Sequence, residues 1–201
     1  MNVLITGFDP FGGAKVNPAW EAVKLVRAPA GVTLVKKEIP TVFRSSGEKL
    51  CALLREYDPD LVLLVGQAAG RKKLSFERVA INLDDARIPD NAGDQPKERP
   101  IAEDGPAAYF SRLPVKALAR AVEEAGVPAE VSLSAGSFVC NHLFYVLMHE
   151  LRDRSDEVRG GFVHVPAIPE QLSDMPPGTP AMALPEIVKG LEAALSFLTE
   201  A

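Results

Sequence analysis

Cysteine, histidine, excess positive charge and long apolar runs are all scarce in this chain. Two cysteines in 201 residues, Cys51 and Cys140, are too few for the disulfide framework of a small secreted domain. They fit a reducing compartment, where thiols stay free for chemistry. No apolar run approaches the roughly 20 residues of a membrane helix. The opening Met1-Asn2-Val3-Leu4-Ile5-Thr6-Gly7 lacks a basic segment, and its apolar run falls short of the roughly 7–15 residues of a secretory signal. A cytoplasmic location is therefore expected. Lys and Arg number 22 against 27 Asp and Glu, a net charge of −5, so no basic field draws nucleic acid or an anionic membrane. With 47% hydrophobic and 24% charged residues, the composition is that of a globular chain with a sizeable core.

What is present is an alternation of short apolar runs with helical patterns. Val3-Leu4-Ile5 reads as a buried strand entering the loop Gly7-Phe8-Asp9-Pro10-Phe11-Gly12-Gly13. Asn17 is placed to cap a helix with Pro18 at its first position, running to about Arg27. Thr33 to Ile39 is a more polar strand, suited to a sheet edge. Ser45 or Ser46 opens a helix whose Leu50, Leu53 and Leu54 share a face, ending before Pro59. Leu61 to Val65 is an uninterrupted apolar strand of the kind buried on both faces of a parallel sheet. Glu77 to Leu83 alternates in places. Asp84 to Pro106 is polar and punctuated by Pro89, Pro96 and Pro100; so long a connection suits a functional loop or lid. A helix from about Pro114 to Glu124 follows, stopped by Gly126 and Pro128. Then come a strand Val131 to Ser134, a helix over 138–152, a strand Phe162 to Val165 and a last helix from about Pro185 to Leu198. The pattern predicts one α/β domain over 1–201, with helices on both faces of a mostly parallel twisted sheet.

Cys140 follows the Ala135-Gly136-Ser137 turn and falls in or near the first turn of its helix. Free N–H groups and the positive end of the helix dipole there favour a thiolate and can hold a developing oxyanion. A small buried hydrophobe is the competing reading. Cys51, mid-helix between Leu50 and Leu53, reads as core packing. Of the three histidines, His142 points about 200° around the helix from Cys140, and His149 reads as a polar-face residue. His164 ends the strand Phe162-Val163, where side chains line the crevice of an open α/β sheet. Cys140 opens onto the same edge, the arrangement a cysteine nucleophile and an imidazole base need. A satisfied core histidine is the alternative.

A carboxylate should orient such an imidazole. Glu77, Asp84, Asp85, Asp90 and Asp94 are all candidates, and spacing does not choose among them. The Gly7–Gly13 loop, between strand and helix, has the setting of a phosphate cradle but matches neither G-x-G-x-x-G nor a Walker A loop. It supports a second functional reading, a non-catalytic small-molecule or phosphate-binding module. Phe8 and Phe11 suggest instead the wall of a small apolar pocket.

Four segments together resemble the pyroglutamyl peptidase I family of cysteine peptidases, also called pyrrolidone-carboxylate peptidases. They are the Gly7–Gly13 loop; the block from Gly66 through Glu77-Arg78-Val79-Ala80-Ile81-Asn82 to Asp85-Ala86-Arg87-Ile88-Pro89-Asp90-Asn91; Ser137-Phe138-Val139-Cys140-Asn141-His142; and Gly160-Gly161-Phe162-Val163-His164-Val165-Pro166. They occur in the family's order over nearly the whole chain and are specific as a set. The resemblance implies a Cys140–His164–Glu77 triad, an α/β/α sandwich, no metal or cofactor, and a homotetramer. It implies peptides with an N-terminal pyroglutamate as substrates. It also implies a lactam pocket walled by Phe8 and Phe11, with Gln67 and Arg87 near the reacting groups. Ala69 stands where the family has glycine, and Phe76 where many members have proline.

Overall fold

The uninterrupted apolar run 61–65 lies at the middle of a sheet, and everything else is arranged about it. The structure is a computed structural model that describes residues 1–154 and 158–200. In chain order its elements are β1 (Asn2–Phe8), α1 (Pro18–Leu25), β2 (Thr33–Ile39), α2 (Phe43–Tyr57), β3 (Leu61–Gln67), β4 (Leu74–Glu77) and β5 (Val79–Ile81). They continue with β6 (Ala108–Phe110), α3 (Val115–Glu124), β7 (Ala129–Ser132), α4 (Val139–Leu151), β8 (Arg159–Val165) and α5 (Leu184–Glu200). Six strands form one sheet in the order β2-β1-β3-β8-β4-β7, and β5 pairs with β6 in a separate ribbon. The strands β2, β1, β3 and β8 are parallel, β4 is antiparallel to β8, and β7 is parallel to β4. The mostly parallel sheet of the sequence reading is therefore observed.

Alternation along each strand feeds two cores. Leu61, Leu63 and Val65 of β3 pack with Ala22 of α1, Leu118 of α3 and Leu191 of α5. Val62 and Leu64 pack with Leu50 and Leu54 of α2 and Phe144 of α4. Helices thus cover both faces, in three layers. The polar β2 is an edge strand, as its composition predicts. Asn17 caps α1, its Oδ1 accepting from Ala19 N at 3.1 Å. Among the described residues no helix is long and apolar enough to cross a membrane.

Several boundaries differ from those the sequence predicts, among them β3, which runs on to Gln67. Helix α2 begins at Phe43, before Ser45, because its first turn is capped from a distance: Asp90 Oδ2 accepts from Phe43 N at 2.9 Å. Strand β7 starts at Ala129 and not Val131, since Pro128 O already accepts from Leu74 N and the chain turns away at Ser132, leaving Leu133 exposed. Strand β8 starts at Arg159, through two glycines whose missing side chains are required. A Cβ at Gly160 would stand 2.7 Å from Leu151 Cδ1, and one at Gly161 2.6 Å from Leu113 Cδ1. The segment Glu77–Leu83 is divided between β4 and β5 at Arg78, and β4 reaches back to Leu74.

The 84–106 stretch is pinned to the body at several points. Asp85 N donates to Ser137 O and Asn91 N to Thr41 O, each at 3.0 Å, while Asp84 and Arg99 close the stretch on itself with backbone hydrogen bonds at 2.7 and 3.0 Å. Asn82 Oδ1 accepts from Ile101 N and Ala102 N.

Candidate active site

The site forms where β3 and β8 end side by side. Gly66 and His164 are paired across these parallel strands, so their side-chain positions share one face. Gly66 leaves its position empty, and Cys140 fills it: a Cβ there would stand 2.9 Å from Cys140 Sγ and 2.7 Å from Phe162 Cζ. The thiol therefore lies over the strand beside His164. Cys140 is the second residue of α4, and the N-cap residue Phe138 makes no side-chain bond to the first turn. Its N–H groups stay available. Strand β1 runs on through Gly7 and Phe8, so the loop begins only at Asp9. Helix α1 after it has its N-terminus capped by Asn17, which takes up the feature an anion cradle there would use.

His164 is buried, and its Nδ1 lies 2.7 Å from Glu77 Oε1. A carboxylate only accepts, so Nδ1 carries the proton and Nε2 keeps its lone pair. Glu77 is fully buried. Its Oε1 also accepts from Arg71 Nη1 at 2.7 Å, and Arg71 Nη2 donates to Ser134 O at 2.9 Å. Glu77 Oε2 has no hydrogen-bond partner among the described residues. The other four carboxylates are engaged elsewhere. Asp84 accepts from His142 Nδ1 at 3.0 Å, Asp90 caps α2, Asp94 pairs with Arg99 at 2.8 Å and Asp85 faces Lys97 at 3.8 Å. Geometry, where spacing could not, brings Glu77 to the imidazole.

Burial dominates the electrostatics. It pushes the Cys140 thiol up to about 12, with the Glu77 charge adding and Arg71 opposing. It also lowers the His164 pKa, against the Glu77 hydrogen bond and charge, which raise it. The resting pair is a thiol beside a neutral imidazole. The helix terminus therefore does not by itself hold a thiolate, as position in the sequence suggested; loss of water outweighs it.

Phe8, Phe11, Gln67 and Arg87 line the same cleft of about 840 Å³ as Cys140 and His164. The ring of Phe8 lies 6.4 Å from that of Phe162, and Phe11 lies 6.0 Å from Phe138, centroid to centroid. The Gln67 amide is oriented by Gln171, donating to its Oε1 at 2.9 Å. Arg87 is exposed, with no side-chain partner among the described residues. Ala69 is accommodated because Gly70, with φ of 95°, takes the left-handed position of the turn. Phe76 is buried within β4.

Arg71 and Gln171 are absent from the sequence-based set. The signal for Arg71 is a general one: a buried carboxylate needs a cation. Arg78 adjoins Glu77 in sequence but sits at the break between β4 and β5, and it is Arg71, from the loop before β4, that reaches the carboxylate. Cys51 departs from its core reading. It is half-buried on α2 outside both cores, and burial together with Glu150 pushes its thiol up to about 11. His149 meets Tyr109 Oη at 3.0 Å and the Arg152 guanidinium.

A parallel α/β sheet that sets a helix-terminal cysteine beside a carboxylate-bound histidine has the layout of a thiol hydrolase. The family profile described as pyroglutamyl peptidase matches residues 1–201, and the chain belongs to that family. A pyrrolidone-carboxylate peptidase of Bacillus cereus (strain G9842) is 51% identical over 199 residues, covering 98% of this chain and 92% of the relative. The crystal structure of pyroglutamyl peptidase I from Bacillus amyloliquefaciens is similar with a TM-score of 0.93 at 47% identity, over 97% of this chain and 93% of that one. A mutant pyrrolidone carboxyl peptidase from Pyrococcus furiosus gives 0.96 at 37% identity, over 100% and 99%.

Proposed function

We propose that this protein is a cysteine peptidase that removes an N-terminal pyroglutamyl residue from peptides through Cys140, His164 and Glu77. The observation that carries the reading is the thiol of Cys140 over Gly66, next to a His164 whose Nδ1 is held by Glu77 at 2.7 Å. The pyroglutamyl ring enters the pocket between Phe8 and Phe11. Its lactam N–H and C=O would each cost about 1–3 kcal/mol if buried unpaired, so Gln67 and nearby backbone groups select it over proline, which lacks the lactam oxygen.

As Cys140 Sγ attacks the carbonyl carbon of pyroglutamate, His164 Nε2 takes the thiol proton. The oxyanion is met by the open N–H groups of α4, with Arg87 at the rim. The intermediate collapses, the C–N bond breaks, and His164 returns the proton to the departing amine. Water, deprotonated by His164, then attacks the thioester, releasing pyroglutamate and restoring the thiol. Side chains and water complete every step, and no cofactor enters.

The test is release of a fluorescent amine from a pyroglutamyl amide beside the matching prolyl amide, with and without a thiol alkylator. Selective cleavage abolished by alkylation is expected. Cys140→Ser should lower turnover by at least about a thousandfold while the fold persists. Failure of reduced, folded protein to cleave the pyroglutamyl compound would refute the function.

The same reading has the protein working as one domain in a reducing cytoplasm and assembling as a homotetramer. Exposed apolar side chains support the assembly. Phe110 and Leu133 are 74% and 73% exposed and flank the Arg78 backbone, whose N–H reaches Ser132 O and whose carbonyl accepts from Ser111 N.

A further inference from the structure

The buried carboxylate poses a charge problem that His164 does not solve. Glu77 is fully buried, and a carboxylate taken out of water without a counter-charge costs several kcal/mol. Burial holds His164 toward its neutral form, so the resting imidazole brings no charge. Arg71 does. Its Nη1 stands 2.7 Å from Glu77 Oε1, the same oxygen that His164 Nδ1 reaches at 2.7 Å. Its Nη2 reaches Ser134 O at 2.9 Å, on the loop that leads into α4 and Cys140. One guanidinium thus touches the acid and the segment before the nucleophile.

We propose that Arg71 is a positioning residue of the active centre, holding Glu77 Oε1 on His164 and balancing the Glu77 charge so that the imidazole stays free to accept the Cys140 proton. The inference rests on the Cys140–His164–Glu77 reading and adds a fourth member to it. The groups that face His164 are Glu77 from β4, Arg71 from the β3–β4 loop and Cys140 from α4. Asp85 and Arg87, from the 84–106 stretch, line the same cleft without a hydrogen bond to the ring among the described residues.

Without the guanidinium, the Glu77 charge is answered by a proton on the His164 ring. The ring then keeps that proton to higher pH and is no base near neutrality. Activity is lost there and regained under alkaline conditions. A residue that only anchored the loop at Ser134 would instead lower activity evenly at every pH.

Two measurements on wild type, Arg71→Met and Arg71→Lys test this: kcat/KM against pH with a pyroglutamyl amide, and NMR titration of the three labelled histidine rings. In Arg71→Met the acid limb and the His164 titration should both move up by about one pH unit or more, while His142 and His149 hold still. Arg71→Lys restores the charge and should bring both back toward wild type. An unmoved His164 titration and acid limb, or an even loss at all pH in both variants, would overturn the proposal. If Arg71→Met does not fold, Arg71→Gln gives the same comparison, keeping a donor without the charge. The titration needs no substrate. A wild type that fails to cleave the amide therefore refutes the peptidase reading, and a static His164 refutes the role of Arg71.

Discussion

At Cys140 a helix N-terminus that favours a thiolate competes with a buried setting that opposes it, and burial wins. The consequence is a pH-dependent stability. The unfolded thiol ionises near 9 and the native one near 12. Between those values the unfolded chain has given up a proton that the native state keeps, so stability is full below pH 9 and falls as pH rises toward 12. Cys140→Ser removes this component and leaves that of Cys51, which has the same sign. Urea unfolding from pH 8 to 11 should show a shallower decline in the variant; parallel curves would sink the account. Gly66 is the second residue with a sharp expectation. Gly66→Ala pushes against Cys140 Sγ and Phe162 Cζ, and a displaced nucleophile should lower kcat about a hundredfold. Overpacking should cost about 1–3 kcal/mol alongside. Unchanged kcat in the folded variant would mean that Sγ does not need its seat over Gly66.

Among the elements, α2 shows how a boundary is decided away from its own sequence. Serines at 45 and 46 look like caps, yet Ser46 Oγ donates to Phe43 O at 2.7 Å inside a helix already begun. The true cap is Asp90, which holds Phe43 N with one oxygen and Ala92 N and Asp94 N with the other, each at 2.9 Å. Asp90→Ala should therefore cost about 1–2 kcal/mol, while the exposed Ser45→Ala stays within about 0.5 kcal/mol. Thermal melts of the two variants give the comparison, and equal effects would return the cap to the serines. The same Asp90 ties the 84–106 stretch to α2, so a connection that reads in the sequence as a functional loop or lid is braced against the body beside the cleft.

For the whole molecule, the expectation concerns self-association. Phe110 and Leu133 project from the Arg78 neighbourhood with most of their surface in water, and a contact that covered both would remove that apolar area from water. Phe110→Asp should lower the assembly mass measured by analytical ultracentrifugation, with the subunit still folded. A wild type that sediments as a monomer, or a variant that assembles unchanged, would remove this face from the assembly.

Much of the architecture is determined by the sequence alone because its causes are local. The apolar run 61–65 can be stable only in the middle of a sheet, polar β2 suits the edge, and Asn17 with Pro18 starts α1 wherever the chain goes. Cys140 after its turn and His164 at a strand end were legible for the same reason. The rest required the tertiary structure. Glu77 and His164 are 87 residues apart, and four other carboxylates met the same sequence criteria until packing sent each elsewhere. Arg71 meets Glu77 through a loop, Asp90 caps a helix 47 residues away, and Gly66 matters because the Cys140 sulfur and the Phe162 ring occupy the space it leaves. Periodicity and capping act within a few residues, whereas charge compensation and close packing act across space, and only the folded chain sets those distances.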